Sequence, residues 1–267
     1  MKDLHSQGLT LGMNFEIIVA DDHSPAPDAA NEAINHLAFA KYVYLPKNLG
    51  RSGCRNWLAQ NAQYPYLLFI DGDMGIRHQD FLRKYLDCLA ENRVVCGGHF
   101  YDTLRPEEKY LLHWTYGRNR EERPAIERNR MPYQGFVPSN FVIPKIVFNA
   151  IKFDETIIGY GHEDTLFGET LQKMSVEVTH IDNGLAHLGL STNTEFLDKV
   201  DVAIHNLHFL EEKYNFTATK LQQTAKKVRF LAPILRIFPL KFLRKRIISK
   251  HHLFMLDLYK LLKYLRD

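Results

Sequence analysis

The sequence predicts an α/β fold with a mostly parallel central sheet flanked by helices, extended at the C-terminus by amphipathic helix. Three observations predict it. Short apolar runs rich in β-branched and aromatic residues recur at "FEIIVA" (15–20), "YVYL" (42–45) and "YLLFI" (66–70). The segments between them have helical length and pattern, so the alternation reads as parallel βαβ units. The runs are continuously hydrophobic rather than alternating, as strands covered on both faces are. Ligands of such sheets bind beyond the carboxyl ends of the strands, so the residues following each run carry the functional information.

The remaining elements follow in order. A helix is expected from about Gln79 to Glu91, then a strand at "RVVCGGHF", where Gly97 and Gly98 suggest a bulge or a close backbone approach. The stretch "RNREERPAIERNRMP" (118–132) is densely charged without a periodic apolar face. It reads as a mobile loop, either a solvated connection or an active-site lid. "FVPSNFVIP" reads as a strand, "HEDTLFGETLQKM" as a helix opened by acids, and Asn193 to Lys213 as a further helix. A break at "NFTATK" precedes the C-terminal segment. No internal repeat or low-complexity tract is present.

Composition bounds the chemistry. The chain has 267 residues, 45% hydrophobic and 24% charged, enough to bury a full core. Cys54, Cys88 and Cys96 fall in no CxxC spacing and suit a reducing compartment, as core or near-core thiols. The net charge of +3 conceals an asymmetry: thirteen cations against two acids give residues 220–267 a net +11, leaving −8 for residues 1–219. The expected division is therefore an acidic body over 1–219 and a basic amphipathic helical tail over 220–267. No apolar run approaches the ~20 residues that span a bilayer, and "MKDLHSQGLTLGMN" lacks the pattern of a signal peptide. The expectation is a cytoplasmic chain.

"IDGDM" ends the third run with Asp71 and Asp73 around Gly72. Strand alternation would point both carboxylates at one place, where their repulsion calls for a cation. Hard oxygen ligands suit Mg²⁺ or Mn²⁺, ions that also hold phosphate oxygens. Solvated acids in a turn would explain the same triplet. Asp21 and Asp22 end the first run, either as turn formers or as acceptors for a nucleobase or ribose. "KNLGRSGCRN" sets Asn48, Gly50, Arg51, Gly53 and Arg55 at a helix start, where free N–H groups and guanidinium forks favour an anion. It lacks the ending of a Walker loop.

Taken in order, "FEIIVADDHS", "NLGRSGCRN", "LLFIDGDM", "FVPSNFVIPKIVF" and "FDETIIGYGHEDTLF" make the chain resemble the family 2 glycosyltransferases, which have a Rossmann-like glycosyltransferase A-type fold. It is most similar there to bacterial sugar transferases and chondroitin-polymerase-like modules ending in a GxGxED segment, and the resemblance covers roughly residues 15–190. It implies a metal-dependent, inverting hexosyl- or N-acetylhexosaminyltransferase using a nucleotide-sugar donor, UDP-linked by analogy, and a saccharide or lipid-linked glycan acceptor in surface polysaccharide assembly. By the same resemblance Asp21 or Asp22 contacts the base. Asn48, Gly50, Arg51, Arg55 and Asp71 complete the donor site. Asp71 and Asp73 hold Mn²⁺ or Mg²⁺, and Asp164 is the general base supported by Glu163. His187 in "LAHLG" is the candidate third metal ligand, with a purely structural role as its alternative.

The family pattern has a further apolar strand before the helix that matches "MKDLHSQGLTLG", and that strand has no counterpart here. Exposed backbone groups on the neighbouring strands and weaker nucleotide binding are the expected result. A catalytically inactive nucleotide-binding or membrane scaffold protein is accordingly the alternative function. A nucleotidyltransferase would need a Gly-rich N-terminal phosphate loop that the chain does not show. In the tail, Pro233 and Pro239 break the pattern, and the stretch from Lys241 can form one amphipathic helix. That helix would lie on an anionic membrane at its cytoplasmic face, or dock on the acidic body. No nucleic-acid module accompanies the cations.

Overall fold

The computed structural model describes residues 1–217 and 219–267. From the N-terminus the elements are α1 (Lys2–Leu11), β1 (Ile17–Asp21), β2 (Ala40–Tyr44), α2 (Gly50–Asn61), β3 (Tyr66–Ile70), β4 (Met74–Gly75), α3 (Phe81–Leu86), β5 (Arg93–Cys96), β6 (His99–Phe100), α4 (Leu111–Tyr116), α5 (Ala125–Arg128) and β7 (Asn140–Pro144). They continue as α6 (Lys145–Ile151), α7 (Glu163–Lys173), β8 (Glu177–His180), β9 (Leu185–His187), α8 (Asn193–Tyr214), α9 (Lys220–Val228), α10 (Ala232–Leu235), α11 (Leu240–Lys250) and α12 (Leu253–Tyr264). The chain divides into two compact units. One comprises Met1–Phe100, Arg123–Ile157 and Glu163–Leu188, and the other Tyr101–Glu122, Ile158–His162 and Gly189–Asp267.

In the first unit β1 and β2 pair in parallel, Ile17 opposite Ala40 through Asp21 opposite Tyr44. The main sheet has the order β3-β7-β5-β8. Its central strand β7 runs antiparallel to both neighbours, while β5 and β8 are parallel. A small sheet, β4-β9-β6, stands beside the main one. The sheets are therefore mixed in direction. Among the described residues no ladder joins β1 to β3.

Burial on both faces explains why the strand sequences read as unbroken apolar runs. Leu67 and Phe69 of β3, Phe141 and Ile143 of β7, and Val94 and Cys96 of β5 enter one core cluster, with Phe148, Phe153 and Phe167. The alternate residues Tyr66, Leu68, Ile70, Val142 and Val95 enter the other, with Phe81, Tyr85 and Leu4 of α1. A period of two thus divides each strand between two cores. The first core is aromatic: Phe153 stacks on Phe167 at 4.2 Å and Phe69 on Phe141 at 4.9 Å, spacings that add to simple burial.

The "CGG" stretch makes the close approach expected of it. A Cβ on Gly97 would lie 2.5 Å from Asn140 Nδ2, Asn183 O and Tyr85 Oη, and Gly98 has φ of 76°. β5 and β6 are consequently separate strands on either side of the glycine pair. Residues 118–132 are not the structureless loop expected. In the second unit Gly117–Glu121 forms wide helical turns. In the first unit α5 buries Arg128, whose guanidinium donates to the carbonyls of Cys96, Gly97 and Ile181. Charge density signalled exposure, whereas here a buried cation adds hydrogen bonds to carbonyls that already accept backbone N–H groups.

The second unit is helical and built on α8. Thr192 and Glu195 form a reciprocal capping box at its start, and Asn215 in a left-handed conformation closes its end. Phe196, Leu197, Val200, Ile204, Leu207 and Leu210 recur at helical spacing and are buried. The residues from Lys241 onward do not form a single helix: His251, with φ of 55°, breaks them into α11 and α12. Leu243, Ile247, Leu256, Tyr259 and Leu262 are buried. Arg244 donates to Asp201 at 2.9 Å, and Tyr259 Oη donates to the same carboxylate at 2.7 Å, fastening both helices to α8.

Candidate active site

The site lies in the first unit and is organised around Arg55. Arg51 and Arg55 are four residues apart on α2, hence on one face of the helix. Arg55 Nη2 donates to both carboxylate oxygens of Asp71, at 2.9 and 3.1 Å, and Nη1 lies 3.5 Å from Glu163 Oε1. Arg51 reaches the same Glu163 oxygen at 3.8 Å. The Arg55 guanidinium also sits 5.2 Å from the Phe153 ring centre, which covers it with apolar surface. Burial works against its charge, but Asp71 and Glu163 outweigh that and hold it above its ordinary value.

Glu163 and Asp164 open α7, where a helix favours acids. Burial raises the Glu163 carboxyl above its ordinary value, with Asp164 adding to the rise and Arg55 and Arg51 opposing it. Burial raises Asp164 as well, against hydrogen bonds to its Oδ1 from Thr165 N–H at 2.7 Å and Thr165 Oγ1 at 3.1 Å. The pair is an acid doublet, Glu163 buried and Asp164 half-buried, with both carboxyls raised above their ordinary values, a condition suited to proton transfer.

Asp71 and Asp73 take different partners, because strand alternation does not extend to them. The chain leaves β3 in a turn closed by Met74 N–H to Asp71 O at 3.1 Å, so the period of two ends at Ile70. Asp71 faces Arg55, whereas Asp73 is drawn to the small sheet. Leu188 N–H donates to Asp73 O at 2.9 Å and Met74 pairs with His187, which leaves His187 Nε2 3.7 Å from Asp73 Oδ2. Among the described residues no three carboxylate, imidazole or thiol groups form a metal-holding set. Asp73 and His187 nevertheless supply hard oxygen and nitrogen donors, and a divalent ion that takes its other ligands from phosphate oxygens fits them.

The strand-end acids of β1 shape the loop beside α2. Asp21 accepts from Ser24 N–H at 2.8 Å and from Tyr42 Oη at 3.2 Å. Its carboxyl is held below its ordinary value, first by the Ser24 backbone N–H. Asp22 Oδ1 accepts from Leu49 N–H at 2.6 Å, and its carbonyl accepts from Asn48 Nδ2 at 2.8 Å. Asn48 Oδ1 in turn accepts from Gly50 N–H at 3.1 Å, and Gly50 opens the helix with φ of 72°. Both acids therefore hold the loop in shape.

Sequence reasoning missed three residues of this region. Tyr42 supports Asp21, and Glu155 accepts from Asn56 Nδ2 at 2.8 Å one residue along α2 from Arg55. His99 lies with its ring 5.9 Å from that of His187. A tyrosine inside a strand and a histidine after two glycines carry no one-dimensional signal. Only the pairing of β6 with β9 brings the two histidines close.

Acids and guanidinium forks gathered near the carboxyl ends of strands in a mixed α/β unit are an arrangement suited to an anionic ligand. The particular family follows from comparison. The model of "Glycosyl transferase family 2" matches residues 1–149, and the chain belongs to that family. An "Uncharacterized glycosyltransferase" of Haemophilus influenzae is 25% identical over 209 residues, 75% of this chain and 78% of that protein. A Drosophila melanogaster protein whose name contains "inactive polypeptide N-acetylgalactosaminyltransferase 12" is 25% identical over 172 residues, and the matched region is 55% of this chain but only 30% of that protein. Among solved structures, Staphylococcus aureus TarS 1-349 in complex with UDP is similar at a TM-score of 0.51 and 16% identity, covering 98% of this chain and 84% of that one. Mannosyltransferase PcManGT from Pyrobaculum calidifontis, in complex with GDP-Man and Mn²⁺, is similar at 0.51 and 11% identity, covering 74% and 55%. These structures establish the glycosyltransferase A-type fold.

Proposed function

We propose that this chain transfers a hexosyl or N-acetylhexosaminyl group from a nucleotide-sugar donor, UDP-linked, to the hydroxyl of a saccharide or lipid-linked glycan in the assembly of a surface polysaccharide. The observation that carries the reading is the Arg55 cluster. One buried guanidinium joins Asp71, at the end of β3, to Glu163, at the start of α7, so the two acidic motifs are spaced as parts of one site. Family membership and the UDP and GDP-mannose complexes of its structural neighbours support the donor class.

Each residue has a role in this reading. Asp21, Asp22 and Asn48 frame the base and ribose, and Gly50 with the exposed Arg51 faces the diphosphate. Asp71 contacts donor hydroxyls while Arg55 fixes its orientation. Asp164 accepts the acceptor hydroxyl proton as that oxygen bonds to the anomeric carbon, and the bond from that carbon to the diphosphate breaks with inversion. Glu163 steadies Asp164 and the acceptor. Asp73 and His187 would hold Mn²⁺ or Mg²⁺, which when bound supplies positive charge against the departing diphosphate.

Titration calorimetry of nucleoside diphosphates with Mn²⁺ and then with chelator, paired with a transfer assay on Asp164→Asn, tests the proposal. The expected result is UDP-selective, chelator-sensitive binding that D164N retains while transfer falls by at least about 100-fold. UDP binding by a wild-type chain that transfers no sugar from any donor would favour the inactive nucleotide-binding alternative. Absence of nucleotide binding would overturn both.

A further inference from the structure

Residues 226–246 of the second unit present a surface that nothing in the glycosyl-transfer reading uses. Arg229–Leu231, α10 and the turn to Phe238 form successive helical turns, with Arg236 N–H donating to Ala232 O and Phe238 N–H to Leu235 O. Phe230, Ile234, Ile237 and Phe238 recur at helical spacing and are 77%, 68%, 81% and 49% exposed, while Ala232 on the other side is buried. Phe242 in the first turn of α11 is 61% exposed, and the Arg246 guanidinium lies 5.9 Å from its ring centre.

Apolar side chains exposed so fully in one short segment are uncommon on a solvated surface and mark an interaction site. The charges around them identify its partner. Lys226, Lys227, Arg229, Arg236, Lys241, Lys245 and Arg246 are all exposed, and no acid occurs between Glu212 and Asp257. We propose that this surface docks on an anionic lipid bilayer, with Phe230, Ile234, Ile237, Phe238 and Phe242 entering the acyl boundary and the seven cations meeting the headgroups. The docking element is therefore the bend before α11 rather than the terminal helix, where Leu256, Tyr259 and Leu262 are already buried and Phe254 is the large apolar residue left exposed. A nucleic acid would reward the cations but give Ile234 and Ile237 no apolar medium to enter. A protein partner would be selected for acids facing every one of the seven.

Vesicle flotation of the full chain tests the proposal, with phosphatidylcholine vesicles compared with vesicles that also contain phosphatidylglycerol. The chain should float with the anionic vesicles alone and be released by salt. Ile237→Glu with Phe242→Glu, and separately Lys241→Glu with Lys245→Glu, should each weaken that binding by about tenfold or more. These side chains are exposed, so circular dichroism melts should match the wild type. Ile237→Trp should show blue-shifted emission on anionic vesicles. The proposal fails if wild type does not bind, if the charge-reversed and apolar variants bind as wild type does, or if the tryptophan emission stays that of an aqueous residue. It also fails if sedimentation shows a self-associated chain that the Ile237→Glu/Phe242→Glu variant disperses, since the surface would then join copies of this chain.

Discussion

Replacing Arg55 by methionine tests whether its guanidinium holds the candidate site together, because the stem is kept and only the charge is removed. The Arg55 and Glu163 side chains are 7% and 6% exposed at a separation of 3.5 Å. At an effective dielectric of about 20 that separation corresponds to about 5 kcal/mol of attraction, before desolvation is subtracted. Breaking a buried pair by removing one partner costs about 3–5 kcal/mol. Glu163 retains the half-exposed Arg51 at 3.8 Å, and Asp71 is exposed enough for water to replace most of its contact. The expected loss is therefore at the lower end, about 3 kcal/mol, or about 6–12 °C in Tm for a chain of this size. The sign with pH follows. Glu163 already titrates above its ordinary value of 4.5, and losing Arg55 raises it further. A raised acid costs stability as pH climbs through the unfolded value toward the folded one, so the deficit should be full above the folded value and shrink as pH falls toward the ordinary 4.5. Denaturant melts of the single variants and of Arg55→Met/Glu163→Gln close a double-mutant cycle, with about 1–3 kcal/mol of coupling expected. A deficit under about 0.5 kcal/mol, a deficit independent of pH, or strict additivity would refute the reasoning.

Two further outcomes follow from the same geometry. Gly97→Ala places a methyl 2.5 Å from three polar atoms on β7, α3 and the turn before β9, so it should cost about 1–3 kcal/mol by overpacking and lower the denaturant midpoint without changing the slope. Asp164 titrates above its ordinary 3.8 because it is buried, so the acid limb of the turnover profile should lie above that value and disappear in Asp164→Asn, which pH–rate profiles measure directly.

The fold was legible wherever burial on both faces leaves a run of apolar residues. "YLLFI" and "FVPSNFVIP" declare β3 and β7 because every side chain on them finds a core, and α8 declares itself by its buried stripe. Direction was less legible: an apolar run says nothing of which way its neighbour points, and β7 reverses the sheet. The acids of the site were readable as strand-end residues, but their grouping was not. Asp71 and Asp73 take different partners because a turn begins at Asp71, and turns at a strand end interrupt the alternation on which the sequence argument rests. Residues 118–132 misled for a related reason. A charge such as that of Arg128 signals exposure unless something buried needs its hydrogen bonds, and the carbonyls of Cys96, Gly97 and Ile181 are spread along the chain. The C-terminal segment was legible as amphipathic, but which of its apolar residues are covered depends on α8.

The place of β7 has a consequence for how this protein is made. β3 and β5 are separated by fewer than thirty residues of chain, yet they have no ladder in common, because β7 lies between them and pairs with both. A ribosome therefore delivers two strands whose shared partner has not been synthesised. The four-stranded sheet cannot begin to close until Asn140–Pro144 emerges, and until then apolar edges of β3 and β5 are open to one another and to other chains. Co-translational folding of the first unit should thus occur late, with Glu163 and Asp164 of α7 entering after the strand that joins β3 to β5 and before β8 completes the sheet.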